Sequence, residues 1–335
     1  MLESPITIDI NGADLIDDQG AAMARSSPDT PTLPAGKVAQ LSLALKGAAM
    51  IMRGLDRMAP RLSTEMMLRY FVRPRRRRGD YRAQLPVGAR RLGIAYRGQT
   101  LTGWSWGDEG PSVLLVHGWE DHCGAMTGLV QPLLQRGFRV VTLDAPGHGL
   151  SPAMDTHLID TGEALAALMG RLGRFEAIIA HSYGAAATSL LLARQRHWAP
   201  DHLTLISPMQ DIRQHLAIFA GIAGLSPAAW NRLQHRTQDE LGQTLDGISV
   251  LSAASDLKSP GLVIHDRQDP LIPYAGSARL VERWRSAQLV STEGLGHRRT
   301  LRCSQLAGRI ASHIDQQLRI SSGFTSSLSG GQGHA

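Results

Sequence analysis

Ile178-Ile179-Ala180-His181-Ser182-Tyr183-Gly184-Ala185-Ala186-Ala187 is the stretch on which the reading of this chain turns. The apolar run over residues 175–180 predicts a buried strand. The alanines and leucines over residues 185–193 predict a helix. Between them one serine stands in the pattern small-x-Ser-x-Gly, with Ala180 at the first small position and Gly184 at the second. A serine on a sharp strand-to-helix turn projects its oxygen beyond the sheet, and the flanking positions must be small because strand and helix approach closely there. An ordinary strand-to-helix loop can carry the same residues, so the surrounding chain has to decide.

Working outward, apolar runs predict strands over residues 112–116, 139–143, 202–206, 261–265 and 287–291. A strand pair is predicted over 91–96 and 101–106, with a turn at Arg97-Gly98-Gln99. Helices are predicted over 128–135, 163–172, 277–285 and 304–318. Strands alternating with helices imply parallel pairing, and ligand sites in such sheets lie beyond the carboxyl ends of the strands. Polar clusters fall at those ends: His117-Gly118-Trp119, Asp144 to Gly149, Ser182, Asp266 to Asp269, and Gly294-Leu295-Gly296-His297. Residues 210–257 break the alternation with helical stretches and no strand, which predicts a helical cap over the site.

The chain has 335 residues, 43% of them hydrophobic and 19% charged, the composition of a globular protein. Its net charge of +6 is local, because nine arginines lie between Arg69 and Arg91 against one acid, Asp80. No general nucleic-acid-binding surface is implied. Cys123 and Cys303 cannot form a disulfide framework. No secretory signal is read in residues 1–18 and no apolar window is long enough to span a membrane, so a cytoplasmic location is expected.

Residues 1–35 read as a flexible leader. Residues 36–80 read as a helical arm and basic linker. Val38, Leu41, Leu45, Ala48, Met52, Leu55 and Ala59 line one helix face up to Pro60, a second helix follows over 63–72, and the run Arg73 to Arg78 closes the segment. The plain reading is an arm packed on the main domain with a solvated linker. Two others are peripheral contact with an anionic inner membrane face through residues 36–80, and a helix-pair contact between copies. The main domain occupies 81–209 and 258–319, the cap 210–257, and a Ser/Gly-rich disordered tail 320–335. No signal sets the oligomeric state.

A serine hydroxyl needs a base to take its proton, and the base needs a carboxylate to fix its tautomer. Ser182, then Asp269, then His297 gives the chain order Ser…acid…His. Asp266 and Asp256 compete with Asp269 for the acid. Two backbone amides are required for an oxyanion, and those of Tyr183 and Trp119 are the candidates, with Gly118 letting the loop turn.

His117-Gly118-Trp119-Glu120, Asp144 through Ser151, Ala180 through Gly184, Asp269-Pro270-Leu271-Ile272-Pro273 and Gly294 through His297 together resemble the α/β-hydrolase superfamily, and within it the bacterial serine-esterase-like group. The resemblance covers about residues 90–319. It implies the α/β-hydrolase fold: a mostly parallel twisted sheet flanked by helices, here with a helical cap and the N-terminal arm. It also implies that Asp269 is the acid, since that residue opens the Asp-x-x-Ile-Pro pattern.

The expected function is a serine hydrolase acting on a small carboxylic ester or thioester through an acyl-enzyme on Ser182, with no cofactor and no metal. His117, Glu120, His122 and Cys123 match no metal-binding spacing. His117, His148 and His181 read as structural. Acyl transfer, perhydrolysis, C–C bond hydrolysis and peptide cleavage use the same serine. A non-catalytic binding protein on the same fold is the competing class. Haloalkane dehalogenase and epoxide hydrolase chemistry would need aspartate at position 182. The apolar cap residues Ile212, Leu216, Ile218, Phe219, Ile222, Leu225 and Trp230 suggest a hydrophobic pocket wall or, residue by residue, packing of cap on core.

Overall fold

The computed structural model describes residues 6–7, 43–75 and 80–329. The leader other than residues 6–7, the first turns of the arm and the arginines 76–78 lie outside the described residues.

In chain order the strands are β1 (Ile6–Thr7), β2 (Arg90–Tyr96), β3 (Gln99–Trp106), β4 (Ser112–Val116), β5 (Arg139–Leu143), β6 (Ala177–His181), β7 (His202–Ile206), β8 (Gly261–Asp266) and β9 (Ala287–Thr292). They form one sheet in the order β1-β9-β8-β7-β6-β4-β5-β3-β2. All neighbouring pairs are parallel except β2 with β3 and β3 with β5. Strands β4 to β8 are buried along their whole length except at Arg139, the half-buried first residue of β5, which is why they read as nearly unbroken apolar runs. The fully antiparallel β2–β3 hairpin turns at Arg97 and Gly98, both at positive φ. Residues 6–7 are not part of a loose leader: they add a short parallel strand to the outer edge of β9.

The α-helices of five or more residues are α1 (Leu43–Met58), α2 (Pro60–Val72), α3 (Val130–Leu134), α4 (Leu158–Leu172), α5 (Ser182–Arg194), α6 (Ile212–Ala223), α7 (Pro227–Leu241), α8 (Tyr274–Arg283) and α9 (Ser304–Ser329). Helix α4 begins five residues before the apolar periodicity, because His157 and Asp160 form a reciprocal capping box at its start. Helix α9 runs on through Ser329 rather than giving way to a disordered tail near residue 320. Its polar Ser/Gly composition hid that continuation. Of the expected tail, residues 330–335 lie outside the described residues.

Two apolar layers sandwich the sheet. Helices α4 and α5 cover one face with Leu165, Leu168, Ala186 and Leu190, and helix α9 covers the other with Leu306, Ile310 and Ile314. Strand order reverses at β4, which pairs with β5 on one side and β6 on the other. The register Val116↔Ala180 sets the loop after β4 beside the turn after β6. That crevice is where open α/β sheets bind ligands.

The arm packs mainly on the cap. Helix α1 lies against α6 and α2 against α7. The Asp56 carboxylate bonds Arg232 at 2.5 Å and accepts from Ser226 Oγ at 3.2 Å, and Glu65 pairs with Arg236 at 2.6 Å. Met67, Leu68 and Val72 enter the core beneath them. Arm and cap therefore form one four-helix cover, joined by apolar contact and by charge.

Candidate active site

Ser182 opens α5 with φ +53°, the left-handed region that a residue with a side chain enters only under strain. Its neighbours enforce that turn. A Cβ on Gly184 would lie 2.2 Å from the carbonyl oxygen of His117, so any larger residue would push α5 off β4. A Cβ on Gly118 would meet Ser182 Cβ at 3.3 Å and His181 Nδ1 at 3.0 Å. The small positions around the serine are thus dictated by close backbone approach.

His297 lies in a single helical turn, Gly296–Arg299, rather than in an open loop. Its Nε2 is 3.0 Å from Ser182 Oγ, and its Nδ1 is 2.7 Å from Asp269 Oδ2. With Nδ1–H donating to the carboxylate, Nε2 is left to accept from the serine hydroxyl. The other carboxylate oxygen, Oδ1, accepts the amides of Leu271 at 2.8 Å and Ile272 at 3.0 Å. The two competing acids are spoken for. Asp266 Oδ2 accepts from Thr292 Oγ1 and from the Leu295 amide, both at 2.9 Å, which ties down the loop leading to His297. Asp256 is paired with Arg196 at 2.6 Å.

A second histidine, not anticipated from the sequence, also reaches Asp269. His265 Nε2 lies 3.3 Å from Asp269 Oδ2 and 3.1 Å from the Ile272 carbonyl, and its Nδ1 is 2.6 Å from Ser277 Oγ. Ser277 in turn accepts from Gln210 Nε2 at 3.0 Å. One set of proton positions satisfies the whole chain: Gln210 donates to Ser277, Ser277 to His265 Nδ1, and His265 Nε2–H to Asp269 and Ile272. Burial alone would raise the Asp269 carboxyl, but the hydrogen bonds from His265 and His297 overrule it and hold the group well below the usual carboxylate range. Asp269 is therefore an anion wherever the protein is folded near neutrality. The available clue was a histidine ending an apolar strand four residues before the acid.

His181 packs beneath the turn as a neutral imidazole. Burial, reinforced by the nearby His297, pushes it down to about 3. Its Nε2 is 3.0 Å from the His297 carbonyl, to which a protonated Nε2 donates, bracing that turn from below. His117 braces the loop after β4: Nε2 accepts the Ala145 amide at 3.0 Å, which leaves Nδ1–H to donate to the Gly118 carbonyl at 2.8 Å. His148 Nδ1 lies 2.9 Å from the Pro146 carbonyl. The His122 ring stacks on Tyr81 at 4.3 Å, the Cys123 amide donates to Asp144 at 2.7 Å, and the Glu120 carboxylate accepts from Arg75 at 3.0 Å. Among the described residues no group of His, Cys, Asp or Glu is gathered as a metal site.

Trp119 follows Gly118, and its ring lies 5.0 Å from that of Tyr183. The Tyr183 amide belongs to the first turn of α5, where N–H groups have no acceptor within the helix. The Tyr183 hydroxyl meets Thr161 Oγ1 at 3.1 Å inside the core.

Ser182 opens into a narrow cleft of about 70 Å³. Its apolar walls are Phe71, Trp119, Leu158, Met209 and Ile212, and Tyr70, Arg75 and His215 also face it. Of the cap residues anticipated as pocket wall, Ile212 lines this cleft. Leu216 is buried in the core, and Leu225 and Trp230 pack against it. Ile218 lines a separate depression, and the Phe219 side chain lies outside the described set. Tyr70, Phe71 and Arg75 come from the arm, which had no assigned place at the site. Nothing in the periodicity of α2 distinguishes residues that touch the cleft from residues that touch the cap.

The chain belongs to the alpha/beta hydrolase family, whose model matches residues 113–308. A serine hydrolase-like protein of Danio rerio is 37% identical over 128 residues, 36% of this chain and 35% of that one. A pimeloyl-[acyl-carrier protein] methyl ester esterase of Methylococcus capsulatus is 46% identical over 52 residues, 16% of this chain and 20% of the relative. The matched segments thus span about a third or less of these curated relatives. A solved Pyrococcus furiosus esterase shares the fold at a TM-score of 0.56 and 20% identity, over 74% of this chain and 98% of the other.

Proposed function

We propose that this protein is a cofactor-independent serine hydrolase that cleaves carboxylic esters or thioesters with an apolar acyl group. The observation that carries the reading is the hydrogen-bonded series Ser182–His297–Asp269, at 3.0 and 2.7 Å, on a strained turn opening into an apolar cleft. In the first half-reaction Ser182 Oγ attacks the acyl carbon while His297 Nε2 takes the hydroxyl proton. The carbonyl oxygen becomes an oxyanion held by the amides of Trp119 and Tyr183. His297 then protonates the departing alcohol or thiol, leaving the acyl group on Ser182. Water, deprotonated by the same nitrogen, releases the acid and restores the hydroxyl. Asp269 stays ionised throughout and balances the imidazolium.

The methyl ester esterase similarity and the apolar walls both favour an acyl group that is buried rather than charged. Each buried methylene contributes about 0.8 kcal/mol, or roughly fourfold in kcat/KM. Across p-nitrophenyl esters, butyrate is expected to exceed acetate by about tenfold, with further gain until the cleft is filled. A preference for acetate, or for an acyl chain ending in a carboxylate, would overturn the apolar-acyl assignment.

A further inference from the structure

We infer that the outer face of the arm is a docking surface for an anionic phospholipid bilayer, placed so that acyl chains enter the cleft from the membrane side. Six of the nine large hydrophobic side chains exposed among the described residues lie on this arm: Met50, Ile51, Met58, Leu62, Met66 and Tyr70. On α2, Leu62, Met66 and Tyr70 recur every fourth residue and form one stripe along the helix. On α1, Met50, Ile51 and Met58 are seven and eight residues apart, so they too share a face. The stripe on α2 ends at Tyr70, which lines the cleft above Ser182 beside Phe71. The stripe therefore leads from the outer surface of the cover to the mouth of the cleft, where the Arg75 guanidinium, paired with Glu120, lies 4.7 Å over the Tyr70 ring.

Charge selects the occupant. Residues Arg53, Arg57, Arg61, Arg69, Arg73 and Arg75 of the arm are exposed. The arm's two acids in α1 and α2, Asp56 and Glu65, are committed to Arg232 and Arg236 of the cap. Arg53, Arg57, Arg61 and Arg69 form no ion pair among the described residues. Apolar side chains interleaved with unpaired arginines suit the boundary between acyl chains and anionic headgroups. A second copy of this chain fits worse, because a twofold contact on this face would set arginine against arginine. No helix among the described residues is long and apolar enough to cross a membrane, so the arm would lie in the plane of the surface.

Delivery of substrate by this surface rests on the serine-hydrolase reading, whereas docking is measured without any turnover. The full-length protein would be co-sedimented with vesicles of phosphatidylcholine containing 30% phosphatidylglycerol, and with pure phosphatidylcholine, while hydrolysis of a short soluble ester is followed in parallel. Wild type is expected to pellet with the anionic vesicles and to be released by 0.5 M salt. Arg57→Gln/Arg61→Gln is expected to weaken partitioning about 25-fold, given roughly fivefold per arginine near an anionic surface. Met58→Gln/Leu62→Gln should weaken it about tenfold through lost apolar burial. Both variants should keep the circular dichroism and short-ester activity of wild type. Wild type left in the supernatant with anionic vesicles overturns the proposal, as does equal pelleting of the variants. A dimer in solution that both variants convert to monomer would assign the face to a second copy instead.

Discussion

Ser182→Ala is expected to lower kcat/KM for any ester that wild type hydrolyses by about 10⁵- to 10⁶-fold while leaving the fold intact. The size follows from the site having one activated oxygen. Ser182 Oγ is the atom 3.0 Å from His297 Nε2, and removing it leaves the base with nothing to deprotonate except water. The residual rate would come from the oxyanion amides and substrate binding, which persist without the nucleophile. Stability should change little, because alanine keeps the Cβ that the turn at φ +53° already accommodates and deletes only a hydroxyl facing the cleft. Initial rates beside a thermal melt check both halves. A loss of less than tenfold would mean that another group does the chemistry.

Asp269→Asn is expected to cost about 10⁴-fold in kcat with KM nearly unchanged. The carboxylate accepts four N–H groups: the amides of Leu271 and Ile272 on one oxygen, and His297 and His265 on the other. An asparagine has one acceptor oxygen. If it keeps the two amides, its NH₂ faces the N–H of His297, which must move its proton to Nε2 to remove the clash. An Nε2 that already carries a proton cannot take one from Ser182. The same NH₂ faces His265, whose tautomer is fixed by Ser277 and Gln210. The variant should therefore also melt at lower temperature, unlike Ser182→Ala. Steady-state kinetics that split kcat from KM, with a melt, test this. A wild-type kcat would show that Asp269 does not set the tautomer of His297.

The strand ends were legible in the sequence because the buried strands β4 to β9 are nearly continuous apolar runs bounded by turn residues. Ser182 and His297 could be read for a related reason: each follows such a run, and parallel topology brings the ends of those runs together. Choosing among Asp256, Asp266 and Asp269 took a family pattern; the carboxylate that meets His297 in the structure is that of Asp269, a contact that sequence spacing does not encode. The role of the arm was not legible. Its apolar stripe shows that α1 and α2 bury one face, but the partner of that face, the cap, is about 170 residues away along the chain. Asp56 with Arg232 and Glu65 with Arg236 are pairs that only tertiary structure creates. His265 was hidden because one histidine in an apolar strand leaves the strand pattern unchanged. Helix α9 outran its expected end because serine and glycine lower helix propensity without forbidding a helix.

Incubating the full chain with a fluorophosphonate and locating the adduct by peptide mass spectrometry decides whether Ser182 is an activated nucleophile, without knowledge of the natural substrate. The phosphonyl group bonds to an oxygen whose proton has been taken by a base and displaces fluoride, so labelling reports the Ser182–His297 pair itself. One adduct per chain on the Ser182 peptide, absent from Ser182→Ala and from His297→Ala over the same time, is the predicted result. A folded wild-type protein that takes no label, or takes it on another residue, would contradict the serine-hydrolase assignment.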